Sequence, residues 1–380
     1  MIAIGVRTSF GLFLHPVSHD LNLGRGIFAF AIALQNLIWG MAQPFAGALA
    51  DRYGTGRVVA TGGVIYALGF VVMSQATDLY SLTLGAGFIV GVALAATGFP
   101  VVLAAIGRAF PDDRRPWALG IATAAGSVGQ FVWVPLGQLF LETGGWPTAF
   151  ILLGVASFVI APLAAALAGR GPGSTLVPVE SLGQALGEAR RHRGYLYLNA
   201  GFFVCGFHVA FVATHLPAYL TDAGFSGRLG AWALALVGLF NIVGSYTAGV
   251  LGGRHSKKYL LSMLYFSRAI VIALFVILPL SAWTAFAFAA ALGLLWLSTV
   301  PLTSSLVAQI FGPRYLATLF GIVFLSHQIG AFLGIWWGGL VFDQTGSYTV
   351  VWWVSVALGL MSALVHWPID ERPLRRPAHA

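Results

Sequence analysis

The sequence predicts an all-α membrane protein of twelve transmembrane helices in two six-helix repeats, and three observations predict it. Of 380 residues, 58% are hydrophobic and only 8% charged, with a mean hydropathy of +0.85, whereas soluble globular proteins carry about 25% charged residues. Apolar stretches long enough to cross a bilayer recur from end to end. Slid on itself by 201 residues, the chain matches 100–145 with 301–346 without a gap. A soluble enzyme is excluded by the composition. An unfolded or nucleic-acid-binding chain is excluded too, because the net charge of +8 sits on a sequence too apolar to be solvated.

In order, the first six spans are read at 1–17, 27–50, 57–76, 80–107, 117–141 and 146–169, each punctuated by Gly, Pro or charge, giving an N-terminal bundle of 1–169. A linker, 170–193, begins Gly-rich and ends as a short basic helix over 181–193. Six more spans follow at 194–221, 229–252, 259–280, 282–311, 315–342 and 348–368, a C-terminal bundle of 194–368 with a tail of 369–380. The first span reaches roughly 25 Å against a hydrocarbon core of about 30 Å, so it is read as clipped at its start. With no charged n-region or cleavage site beside it, it is read as a span and not a signal peptide.

Of the twenty Lys and Arg residues, sixteen fall on one side when the chain start is placed inside, and only Arg25 and Arg228 fall outside. The positive-inside rule therefore puts both termini in the cytoplasm and accounts for the basic balance without a nucleic acid or other anionic macromolecule. The single cysteine, Cys205, permits no intrachain disulfide, and no Cys/His set has zinc-ligand spacing, so no metal or cofactor is expected. Short loops and the absence of an N-x-Ser/Thr acceptor suit a bacterial cytoplasmic (inner) membrane.

The self-match holds nine identities, and five of them are Gly or Pro, residues whose use is positional: Pro100/Pro301, Gly120/Gly321, Gly129/Gly330, Gly137/Gly338 and Gly145/Gly346. The same offset pairs Gly5, Phe10 and Pro16 with Gly206, Phe211 and Pro217. Two parallel repeats joined by a linker describe a secondary transporter that binds substrate near mid-membrane between its halves.

The loop after the second span reads GALADRYGTGRVV, Gly47 to Val59. It resembles the signature loop of the major facilitator superfamily, and GVLGGRHSKKY, Gly249 to Tyr259, resembles a degenerate second copy with Gly253 in place of the Asp. RRPWALGIATAAGSVG, Arg114 to Gly129, is similar to the fifth-span signature of the bacterial branch of the monocarboxylate-porter family. That family's acidic-Gly-Gly-aromatic pattern is absent from the first span, and Asn241 and Ser245 stand where relatives often carry an Asp and an Arg in the eighth. The resemblance implies the major facilitator fold, alternating access and a small organic anion as substrate, most simply a monocarboxylate.

Ionisable groups inside a membrane are costly and mark function. Arg7 lies roughly 15 Å deep in the first span, which in the resembled fold lines the central cavity; its planar fork of donors suits a carboxylate. Arg268, equally deep in the ninth span, is read as a structural arginine bonded to Asn, Ser or carbonyl groups of an adjacent helix. His208 is the repeat counterpart of the Arg7 level, with His215 two turns on along the same face, and His327 lies near the middle of the eleventh span. All twelve acids fall in loops or at span ends, Asp51, Glu142 and Asp343 being the nearest, so proton coupling is assigned to His208 first and His327 second. Asn36, Gln130, Asn241, Tyr246, Thr299, Thr303 and Gln328 complete the expected substrate-binding set with Arg7, His208 and His327. Pro100 and Pro301 are expected to bend equivalent helices around the cavity. Asp51, Arg52 and Arg57 are expected to gate by latching and releasing the cytoplasmic side.

The expectation is a monomeric proton symporter of a small organic anion in a lipid bilayer. An exporter of amphipathic or drug-like compounds and a membrane sensor that binds without flux are the alternatives. No nucleophile–base set or metal-ligand cluster is spaced for an enzyme.

Overall fold

In hydrocarbon every backbone N–H and C=O must find its partner within the chain, so long apolar runs become helices. The computed structural model describes residues 1–98, 101–102, 105, 115–167, 182–311 and 316–374, the side chains of 51, 115–120, 123, 182–185 and 316–317 excepted; among these there are helices and no strand. Pro100 and residues 170–181, half of the linker, lie outside the described residues. The short helix expected at the end of the linker runs Leu182–Arg191.

Ten described helices are long and apolar enough to cross a membrane. One of them, Ala124–Leu167, has 44 residues and would measure about 66 Å if straight, twice the hydrocarbon core. It folds at Gly145, where φ is +69°, two residues before Pro147, and so supplies the fifth and sixth spans. Gly346, 201 residues later, has φ +67° at the end of the eleventh span. A Cβ resists that backbone region, so the Gly145/Gly346 identity marks one turn used twice.

The first span is assembled from Ile2–Thr8, a 3-10 segment Ser9–Phe13 and Leu14–Asp20, too irregular to form one long helix. Hydroxyls explain the irregularity: Thr8 Oγ1 donates to the Gly5 carbonyl (2.7 Å) and Ser9 Oγ to that of Val6 (2.6 Å), competing with the helical ladder just after Arg7. With this span the described residues supply twelve span-length segments.

The second to fourth spans are Arg25–Tyr53, Thr55–Ser74 and Leu79–Thr97. The seventh is Arg193–Asp222, the eighth Gly227–Gly252, the ninth Lys257–Ile277, the eleventh Leu316–Thr345 and the twelfth Thr349–His366. The tenth is broken into Ala282–Leu295 and Thr299–Phe311. The fourth passes through a π-helical turn, Thr83–Ile89, and ends as a helix at Thr97, where Gly98 turns extended. Gln35 Nε2 donates to the Ala86 carbonyl within that wide turn (2.8 Å).

The repeat is visible in the packing. A Cβ on Gly5 would collide with the Gly129 carbonyl and one on Gly129 with that of Met1, while Gly206 and Gly330 stand likewise against the carbonyls of His327 and Phe203. First span on fifth and seventh on eleventh thus meet backbone to backbone in the same register, the close approach that small residues permit between membrane helices.

Between the halves, the second span packs on the eleventh, the fifth on the eighth and the first on the seventh. Cross-half contacts run from Arg25, Asp222 and Asp343 at one end down to Trp39–Phe324 and Ser127–Asn241, and those described here stop at that level. Toward the opposite end a Cβ on Gly47, Gly249 or Gly321 would meet nothing within 4 Å, and Phe45 and Tyr246 are 73% and 75% exposed. Among the described residues the seam is sealed at the Arg25 end and open at the Arg52 end.

Candidate functional site

Arg7 ends the first helical piece of its span, half-buried, with the second span beside it. Its Nη2 donates to Asn36 Oδ1, and its guanidinium lies over the Trp39 ring, 5.1 Å from the centroid. Asn36 is held in that orientation because its Nδ2 donates to the Ile32 carbonyl one turn back (2.8 Å). Arg7 Nε is buried without a partner, and among the described residues no carboxylate pairs with the guanidinium. A fixed cation facing neutral groups is a site with charge left to satisfy.

The same ring ties three helices together. Trp39 Nε1 donates to Gln43 Oε1 (3.0 Å), and Gln43 Nε2 donates to the Ala95 carbonyl (3.2 Å) in the last turn before the fourth span breaks. Across the seam Trp39 meets Phe324 edge to face, centroids 5.4 Å apart. Phe324 stacks on His327 (5.9 Å, 6° between planes).

His327 is half-buried, its Nδ1 3.1 Å from Gln328 Oε1. Gln328 is fully buried with Nε2 unpartnered, and it packs where a Cβ on Gly40 would touch it. Asn36, Trp39 and Gln328 therefore lie where the second and eleventh spans meet, with Arg7 beside them, whereas His327 turns toward the seventh span of its own half, its ring 5.1 Å from that of Phe202.

Other residues expected at the site are turned to different work. His208 is fully buried with Nε2 donating to the Ser355 carbonyl of the twelfth span (2.7 Å), so it faces a helix of its own half and not the seam. His215 spans Ile335 O and the Tyr348 hydroxyl (2.8 and 3.1 Å) near the sealed end. Gln130 Nε2 donates across the seam to the Leu234 carbonyl (2.9 Å). Asn241 Nδ2 donates to Ser127 Oγ (2.9 Å) while its Oδ1 accepts from Leu297 N–H in the break of the tenth span (2.9 Å). Thr299 meets Cys205 Sγ at 3.2 Å, Thr303 is buried with its hydroxyl unpartnered, and Tyr246 stands exposed toward the open end.

Arg268 is fully buried and donates from Nη2 to the Leu295 and Trp296 carbonyls (2.5 and 2.9 Å). Those carbonyls are freed where the tenth helix stops, so Arg268 and Asn241 hold the two sides of that break.

At the sealed end Arg25 is bidentate to Asp222 (2.5 and 2.6 Å), over the Phe342 ring, and near the Tyr348 hydroxyl (3.2 Å). Asp343 accepts the backbone N–H of Arg25 and of Gly26 (2.8 and 2.7 Å), capping the second span from the other half. Arg228 pairs with Glu142 (2.7 Å). At the open end Arg52 and Arg57 are exposed, Arg52 over the Tyr53 ring; the Asp51 side chain lies outside the described residues.

Sequence reasoning missed Trp39 and Gln43, since a lone Trp in a span reads as belt or packing. Arg25 and Arg228 it saw only as exceptions to a topological rule.

The family model for the Major Facilitator Superfamily matches residues 1–335. The chain is 26% identical over 399 residues to an uncharacterized MFS-type transporter, YcxA, of Bacillus subtilis strain 168, covering 100% of this chain and 96% of that protein. It is 27% identical over 378 residues to monocarboxylate transporter 11 of Homo sapiens, covering 96% and 79%. In fold it is similar to a bacterial homolog of the human lysosomal transporter Spinster, solved inward-facing and occupied, with a TM-score of 0.77 at 15% identity over 96% of this chain and 93% of that one.

Proposed function

The chain belongs to the major facilitator superfamily and is a multi-pass membrane transporter, and on that premise we propose that its substrate is a small organic anion, a monocarboxylate in the first instance, bound at Arg7. The observation that carries this is the half-buried guanidinium at the seam, held by Asn36 and Trp39, with Nε unpartnered and no carboxylate beside it among the described residues. A carboxylate supplies the missing charge and two acceptors in the plane of the fork. The names of the monocarboxylate transporters among its relatives support the same substrate class.

The bundles 1–169 and 194–368 rock about the bound anion, with 170–193 as linker and 369–380 as tail. The positive-inside bias sets the sealed end outside, in a bacterial inner membrane, and leaves this state open to the cytoplasm. His327 carries the coupling proton: a histidinium entering with the anion brings the loaded site closer to neutral before it crosses a low-dielectric barrier. Asp51, Arg52 and Arg57 latch the cytoplasmic side when it closes.

The test is uptake of a panel of labelled small acids into proteoliposomes under an imposed pH gradient, intact protein against Arg7→Gln. Acid-driven uptake lost in the variant supports the assignment. Flux of amphipathic compounds with none of the acids overturns the substrate class and leaves the fold.

A further inference from the structure

Trp39 is 5% exposed and touches one functional element on each of three sides. Its face takes the Arg7 cation from the first span. Its indole N–H reaches, through Gln43, the Ala95 carbonyl at the break of the fourth span, and a Cβ on Gly98, the residue that leaves the helix there, would lie 3.1 Å from Trp39 Nε1. Its edge meets Phe324 of the opposite half, near the level where the described seam ends.

We propose that Trp39 is a positioning residue that passes the charge state of Arg7 to the joint between the halves and to the broken fourth helix. With the site empty, the cation over the ring fixes the indole plane, and with it the Gln43 bridge and the Phe324 edge contact. An anion that neutralises the guanidinium weakens the cation–π hold, which depends on net positive charge over the ring. The indole is then free to tilt, the Ala95 carbonyl loses its tether, and the second and eleventh spans can part at Trp39–Phe324. Occupancy thus biases alternating access by a differential contact, as any ligand-driven shift requires. The role of an anion rests on the reading of Arg7 given above; the coupling between Arg7 and Trp39 does not.

A ligand-free double-mutant cycle therefore tests the relay. In a Cys205→Ser background, spin labels at Tyr53→Cys and His255→Cys, both at exposed ends of spans in opposite halves, report the separation at the open end. Arg7→Gln is expected to raise the short-distance population about fivefold, the worth of a partly buried cation–π contact. In Trp39→Leu the same Arg7→Gln change should produce no further shift, while in Trp133→Leu it should act at full size. Trp39→Phe, which keeps a ring but loses the N–H, should match Gln43→Leu. An unchanged distance in Arg7→Gln, or shifts that simply add in Trp39→Leu, overturns the relay whatever the substrate proves to be. A failed acid panel with an intact cycle overturns only the anion at Arg7.

Discussion

Glu142 and Asp343 stand 201 residues apart at the same position of the two repeats, and each reaches across the seam to the start of a helix in the opposite half. Glu142 takes the Arg228 guanidinium at the start of the eighth span, and Asp343 takes two backbone N–H groups at the start of the second. The two locks share a place but not a chemistry. One is a side-chain pair in water, the other a carboxylate on the orphan amides and positive pole of a helix.

Asp343 should therefore matter more than Glu142. With Phe30→Cys as a common reporter in the seam, Asp343→Ala should raise the rate of labelling by an impermeant maleimide about fivefold, the loss of a helix cap. Glu142→Ala should change it little, and equal effects would contradict the asymmetry.

The two arginines should differ in the same sense. Arg25 is 11% exposed, bidentate to Asp222 and stacked on Phe342, whereas Arg228 is 71% exposed in its pair. Exposed pairs contribute little and are screened by salt. Arg25→Gln should lower the melting temperature and open the sealed end at any ionic strength, and Arg228→Gln should have an effect visible only at low salt.

Arg268→Met should act on the fold and not on substrate affinity. Its two carbonyl partners would be left buried and unbonded, at about 1–3 kcal/mol each. Detergent-solubilised protein should melt several degrees lower, with the half-saturating concentration of any transported acid unchanged in what survives. A raised half-saturating concentration at normal stability would place Arg268 at the substrate.

His192, outside the spans, accepts the Tyr195 N–H that caps the seventh span and packs against the Phe311 ring (5.3 Å). Burial lowers its pKa, against a smaller opposing pull from Asp370. The unfolded chain then holds more protons than the folded one just below pH 6.5, so this contribution is present above that pH and is lost as pH falls through the unfolded value toward the lowered folded one. His192→Asn, which keeps an acceptor, should flatten part of the decline in melting temperature between pH 7.5 and 5. Parallel curves for the two proteins would refute it.

Spans, their order and the repeat were legible because hydropathy and Gly/Pro placement are local: Gly145 and Gly346, paired by the repeat, both take a positive φ at the end of a span. The site was legible only in part. Arg7 stands out from sequence because an arginine in hydrocarbon is rare, yet helical periodicity fixes only which residues share a face, and not which neighbour that face meets. His208 and Arg7 are repeat counterparts, but one turns to the twelfth span and the other to the second. Asn241 and Gln130 read as cavity groups and are bonded across helices, because polar side chains in a bundle find partners before they find ligand. Trp39 had no signal of its own.

The amides of Arg25 and Gly26 have one further consequence. When Asp343 withdraws, those two donors cannot be left bare and no side chain in the second span can replace it, since its cap position is Gly24. Solvent must take its place, so opening at this end consumes water molecules as a reactant would. Turnover should then slow as an osmolyte too large to enter the opening, balanced across the vesicle, lowers water activity, and an unchanged rate would contradict it.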